Sequence, residues 1–147
     1  MVTKQQSHFA DTSTIFLIED NPADSYLSRM ALERTAAIPL QIVGTETGKQ
    51  ALELLRHHCS RYKRPNVVLL DLSLPDMSGH EVLAAVRADP LLKEVPVVIL
   101  TGSDDEEDKR RARELGANDY WLKPSGMLGY LDIMRRLKPY LSNPPER

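Results

Sequence analysis

Short, wholly apolar runs alternate along this chain with stretches whose apolar residues recur every three or four positions. The first run is TIFLI at residues 14–18, and it stops at Glu19-Asp20-Asn21-Pro22. A helix follows: Pro22 suits a first turn, Asn21 or Asp20 can cap it, and Ala23, Leu27, Met30 and Ala31 keep helical spacing. Residues 41–43 read as a second strand closed by Gly44. Thr47 then caps a helix carrying Ala51, Leu52, Leu54 and Leu55, with a polar, basic loop expected over residues 59–65. The run VVLL at 67–70, bounded by Pro65 and Asp71, suits a strand covered on both faces. A loop with Pro75 and Gly79 leads to a helix over 81–88. PVVIL at 96–100 predicts a fourth strand ending at Thr101. Residues 104–115 predict an exposed fourth helix, acidic first and basic later, which complements the helix dipole, with Gly116 as its C-cap. A short strand over 118–122 and a helix over 126–141 complete the order βαβαβαβαβα.

Strands separated by helices imply a parallel sheet with helices on both faces, a doubly wound α/β fold. One unit is expected, a domain over 14–141 flanked by an N-terminal extension (1–13) and a polar, proline-rich tail (142–147), with no output domain attached. The 147 residues suit one domain, and 41% hydrophobic with 27% charged residues excludes a mainly disordered chain. A single cysteine, Cys59, excludes an internal disulfide framework. No apolar run approaches the roughly 18 residues that cross a bilayer, and residues 1–10 have no apolar core of a secretory signal. The expected compartment is the cytoplasm, with no membrane partner. A net charge of −2 argues against a nucleic-acid partner.

In doubly wound sheets, chemistry gathers beyond the C-terminal ends of the strands. The residues there are Glu19 and Asp20 after strand one, Asp71 after strand three, Thr101 after strand four and Lys123 after strand five. Crowded carboxylates repel unless a cation sits among them, and an all-oxygen set suits Mg²⁺. A cation and an amine flanking one carboxylate also stabilise charge on a phosphoryl group. Asp71, on the central strand, is then the expected nucleophile of an acyl phosphate, with Thr101 and Lys123 on the phosphoryl oxygens.

The set Ile18-Glu19-Asp20-Asn21, Leu70-Asp71-Leu72-Ser73-Leu74-Pro75 with Gly79, Leu100-Thr101-Gly102 and Tyr120-Trp121-Leu122-Lys123-Pro124 resembles the receiver domain of two-component response regulators. Thr101 stands 30 residues after Asp71, and Lys123 stands 52 after it, spacings similar to those of typical receivers. The resemblance covers nearly the whole chain and implies the CheY-like, flavodoxin-like strand order 2-1-3-4-5. It implies Asp71 as phosphoacceptor, and Mg²⁺ held by Glu19, Asp20, Asp71 and the backbone carbonyl of Ser73. It also implies Thr101 moving to the phosphoryl group, Tyr120 swinging in behind it, and Lys123 on the phosphoryl oxygens before a cis Lys-Pro bond. Ser73 and Ser103 occupy the two positions that tune phosphoryl lifetime in this family. The implied donor is a sensor histidine kinase or relay phosphotransfer protein. The implied output is a downstream protein docked on the fourth helix, fifth strand and fifth helix. The stretch from Arg56 to Pro65 and the motifs at 88–93 are similar to those of stand-alone regulators paired with phytochrome-type kinases.

Other signals point elsewhere and fail on chemistry. Gly44 and Gly48 are one residue too close for a P-loop, and Gln50 stands where it needs Ser or Thr. His57, His58 and Cys59 are adjacent on a helix and point in different directions, and the chain has no second cysteine, so they read as a solvated helix end and not a metal site; His80 is expected to be exposed. Lys109, Arg110, Arg111 and Arg113 follow four acidic residues and read as a salt-laced surface, not a phosphate grip. Met127, Tyr130, Leu131, Met134 and Leu137 form one stripe on the fifth helix, widened by Ile133, Tyr140 and Leu141; it is either core or part of a homodimer face. A haloacid-dehalogenase-type phosphatase would need a second acid where Ser73 stands. A flavodoxin-like cofactor binder would need an uncharged phosphate loop where Glu19 and Asp20 stand. A scaffold without phosphotransfer would have no use for the five rim residues.

Overall fold

A computed structural model describes residues 12–141. The expected N-terminal extension, but for its last two residues, and the expected tail lie outside the described residues. Five strands, β1 (Ser13–Ile18), β2 (Leu40–Thr45), β3 (Val67–Leu70), β4 (Val97–Thr101) and β5 (Asp119–Leu122), form one sheet. All four pairings are parallel and the order is β2-β1-β3-β4-β5. The helices are α1 (Pro22–Thr35), α2 (Gly48–Arg61), α3 (Gly79–Ala88), α4 (Glu106–Glu114), α5 (Met127–Arg135) and α6 (Lys138–Leu141).

The two-residue period of a strand explains why the central runs are apolar throughout. Phe16, Ile18, Val68, Leu70, Val97 and Ile99 point to one side, onto Ala51, Leu55, Val82, Leu83, Val86 and Ala112 of α2, α3 and α4. Their neighbours Ile15, Leu17, Val67, Leu69, Val98 and Leu100 point to the other side, onto Ala31, Leu32, Tyr130, Ile133 and Met134 of α1 and α5. The first four helices begin at side-chain caps. The Asn21 side chain accepts from the Asp24 N–H (3.0 Å), the Thr47 hydroxyl from the Gln50 N–H (3.1 Å), and Ser78 and Glu81 form a capping box.

Four expectations are corrected. Residues 59–61 are helical, not loop: α2 runs on to Arg61 and Cys59 is buried against the core, because no helix breaker stands before Pro65. The last helix is two pieces. Continuing α5 would drive the Pro139 ring into the Arg135 carbonyl, so the Arg136 and Leu137 N–H groups turn back onto Ile133 and Met134 (3.0 Å each). His80 is buried, its Nε2–H donating to the Asp108 carbonyl at 3.1 Å, because the start of α3 packs against α4. Lys123-Pro124 is trans, the intrinsically favoured isomer, and no peptide among the described residues is cis. The α5 stripe is core: Tyr130, Ile133, Met134 and Leu137 are buried, and the exposed apolar residue of that helix is Leu128.

Candidate phosphoryl and metal site

The sheet itself aims the site. Its parallel ladder continues one residue past the strands: Glu19 N–H donates to Thr45 (3.0 Å), Asp71 N–H to Ile18 (3.1 Å) and Lys123 N–H to Thr101 (2.8 Å). The register that aligns Ile18 with Leu70, and Thr101 with Leu122, therefore fixes where Glu19, Asp71, Thr101 and Lys123 leave the sheet. The loop after Asp71 is closed by the Gly79 N–H on the Leu72 carbonyl (2.9 Å). A side chain at position 79 would lie 2.4 Å from the Asp71 carbonyl oxygen, so only glycine lets that loop fold back so closely. The Asp76 carboxylate pins its far end, accepting from the Gly48 and Lys49 N–H groups at 2.8 and 2.9 Å.

Glu19, Asp71 and Thr101 are buried, and Asp20 is exposed beside them. One carboxylate oxygen each from Glu19, Asp20 and Asp71 lies within 4.8 Å of the others. Lys123 reaches over this cluster. Its Nζ is 2.7 Å from Glu19 Oε1, 2.7 Å from Asp71 Oδ2 and 2.8 Å from Asp24 Oδ2. The Asn21 N–H donates to Glu19 Oε2 at 3.1 Å and the Ser73 N–H to Asp71 Oδ1 at 3.3 Å.

The electrostatics follow from that crowding. Burial pushes the Glu19 carboxyl up to about 7 and the negative charge of Asp71 adds to the rise, while the bonds from Lys123 and Asn21 oppose it. Burial works against the Lys123 charge, but its bonds to Asp24, Asp71 and Glu19 outweigh that and hold the ammonium above the ordinary lysine value. Three carboxylates sharing one ammonium are short of positive charge. An oxygen-only donor set of this spacing, with one member open to water, fits a divalent cation.

Past β4, the Thr101 hydroxyl accepts from the Ser103 N–H at 3.4 Å, and the Ser103 hydroxyl donates to Asp108 at 2.6 Å. The Tyr120 hydroxyl donates to the Ser103 carbonyl at 2.8 Å. The phenol is thus tied behind the Thr101 loop, and burial pushes its pKa up. The expected residues therefore gather at one end of the sheet, with Ser73 and Ser103 on the two adjoining loops. Sequence reasoning gave no role to Asp24, the third carboxylate on Lys123. Its one signal was its place in the first turn of a helix that starts beside the acidic pair.

Comparison with known proteins identifies the family and the fold. Residues 15–133 match the family described as the response regulator receiver domain. The chain is 39% identical over 129 residues to the probable methanogenesis regulatory protein FilR2 of Methanothrix harundinacea, covering 87% of this chain and 81% of FilR2. It is 35% identical over 129 residues to the response regulator Rcp1 of Synechocystis, covering 86% of each. The crystal structure of the phosphorylated cyanobacterial phytochrome response regulator RcpA superposes with a TM-score of 0.82 at 34% identity, covering 92% of this chain and 99% of RcpA. The solved form of Rcp1 that carries Mn²⁺ superposes with a TM-score of 0.80, at 33% identity, over 91% of this chain and 99% of that one.

Proposed function

The chain belongs to the response regulator receiver domain family, and on that premise we propose that it is a single-domain response regulator phosphorylated on Asp71. The observation that carries this reading is the convergence of Lys123 on Asp71 Oδ2 at 2.7 Å beside Glu19 and Asp20, at the end of the central strand. An oxygen of the Asp71 carboxylate attacks the phosphorus of a donor phosphohistidine. The P–N bond breaks, the imidazole leaves, and an acyl phosphate remains. Lys123 binds a phosphoryl oxygen with its ammonium, and Thr101 donates its hydroxyl to another. Mg²⁺, held by Glu19, Asp20, Asp71 and the Ser73 carbonyl, would neutralise charge on the transferring group. A receiver needs a histidine kinase or phosphotransfer protein as donor; kinship with Rcp1 and RcpA supports a phytochrome-type kinase here.

The output is a change of protein partner. When Thr101 turns to the phosphoryl group, its contact with Ser103 is lost, and Tyr120 is the side chain tied to that same loop. Tyr120, Leu122 and the carboxylate-bearing Asp119 of β5 line a groove of about 610 Å³ with Lys109 and Arg113 of α4 and Arg136 just after α5, three cations against one anion. A downstream protein with acidic side chains fits that basic groove. Among the described residues no helix is long and apolar enough to cross a membrane.

Incubation with acetyl phosphate and Mg²⁺, read by intact mass, tests the assignment. Wild type is expected to gain one hydroxylamine-labile phosphoryl group and Asp71→Asn none. No adduct on wild type, or an equal adduct on both, overturns it.

A further inference from the structure

The Lys123 ammonium has three N–H donors, and three carboxylates already take them. Two of these, Glu19 and Asp71, belong to the group that can hold a cation; Asp24 does not. A bound cation therefore relieves Glu19, Asp20 and Asp71 of their repulsion and leaves Asp24 dependent on Lys123. Asp24 is also the most open of the three seats, its side chain 28% exposed against 4% for Glu19 and 5% for Asp71. Beside it lies a donor with only a weak acceptor, the Asp24 carboxylate itself. The Tyr130 hydroxyl is buried and approaches the Asp24 carboxylate without completing a hydrogen bond of good geometry. A poorly paired buried hydroxyl is costly and needs a reason.

We propose that Asp24 is a positioning residue that gives Lys123 a competing seat on α1, and that this seat is vacated, and passed to the Tyr130 hydroxyl, when a phosphoryl group on Asp71 draws the ammonium away. The inference rests on the phosphoacceptor reading of Asp71. A phosphoryl group brings a near-dianion and three strong acceptor oxygens to Asp71. Esterification takes the charge off Asp71 and a cation takes over Glu19, so Asp24 is the full carboxylate left competing with those oxygens for the ammonium. The seat released is the one that water and Tyr130 can satisfy. The Asp24 charge stays beside the phosphoryl oxygens and repels them. On both counts Asp24 biases the domain towards its unphosphorylated form. Tyr130 offsets part of that bias by taking over the carboxylate, which shifts a contact of α1 from the Lys123 loop to α5.

Beryllofluoride with Mg²⁺ stands in for the phosphoryl group, and its affinity can be read by calorimetry on the full chain. Asp24→Asn removes the competing charge and is expected to bind about fivefold more tightly than wild type, the scale of a partly exposed ion pair. Asp24→Glu keeps the charge and is expected to return towards the wild-type affinity. Tyr130→Phe is expected to raise the unfolding temperature, because it removes a poorly paired buried hydroxyl, and yet to weaken beryllofluoride binding. A purely structural role would not separate these two readouts. If wild type binds, Asp71→Asn does not, and Asp24→Asn matches wild type or binds more weakly, the competing seat is overturned while the phosphoacceptor reading stands. If wild type fails to bind, or Asp71→Asn binds equally, both fall together.

Discussion

Lys123 and Arg110 both sit among carboxylates, and they do so in opposite ways. Arg110 pairs with Glu107 and Glu114, three and four residues away on its own helix, with its side chain 51% exposed. Lys123 is 14% exposed and pairs with Asp71 and Asp24, which are 52 and 99 residues away, and with Glu19. The first cluster is a consequence of helical spacing and needs no tertiary structure. The second exists only after β1, β3, β5 and α1 are assembled, and it carries a standing cost, visible in the displaced Glu19 carboxyl. Surface pairs of the first kind contribute little to stability. A buried surplus of carboxylates that the fold works to maintain marks a site shaped by what it binds.

That contrast can be broken by substitution. Lys123→Met should have the largest effect. It leaves Glu19, Asp24 and Asp71 without a counter-charge, and urea unfolding in metal-free buffer is expected to show a loss of about 3 kcal/mol. Millimolar Mg²⁺ should recover more stability in this variant than it adds to wild type. No loss would mean that the ammonium does not hold the cluster together. Tyr120→Phe comes next. It removes the hydrogen bond to the Ser103 carbonyl and is expected to cost about 1 kcal/mol in the same assay. Amide hydrogen exchange should rise in the loop after β4 and stay unchanged in β1. Arg110→Ala should do least, with an unfolding temperature within about one degree of wild type. A shift as large as that of Lys123→Met would erase the distinction between the two clusters.

Much of this was legible because parallel strands buried on both faces leave short apolar runs that end abruptly. The residue that ends each run is already at the sheet's functional edge, so Glu19, Asp71, Thr101 and Lys123 could be picked out before any contact was known. Caps such as Asn21 and Thr47 are local chemistry and were equally readable, with Asn21 rather than Asp20 as the first cap; Ser78 reads as loop in the sequence, and its helix starts two residues earlier than expected. What escaped depended on docking between elements. Asp24 acquires meaning only when β5 brings Lys123 across α1. His80 looks like a surface residue until α4 presents the Asp108 carbonyl to it. The break after α5 was signalled by Pro139, but the continuous apolar stripe from Met127 to Leu141 outweighed it, because both pieces bury their apolar sides in the same core. Arg87 shows the same limit. Its guanidinium joins α3 to the carbonyls of Lys93, Val95 and Gly116 and to the Asn118 side chain. Nothing in its sequence neighbourhood singled it out.

The central claim is that the long-range cluster around Lys123 serves one reacting carboxylate, that of Asp71. Borohydride reduction tests it most directly. It converts an acyl phosphate to an alcohol with release of phosphate, and so turns a phosphorylated aspartate into homoserine. Wild type treated with acetyl phosphate and Mg²⁺, then reduced and mapped by peptide mass spectrometry, is expected to carry homoserine at position 71 alone. Reduction at Glu19, Asp20 or Asp24, or at no carboxylate, would contradict the account.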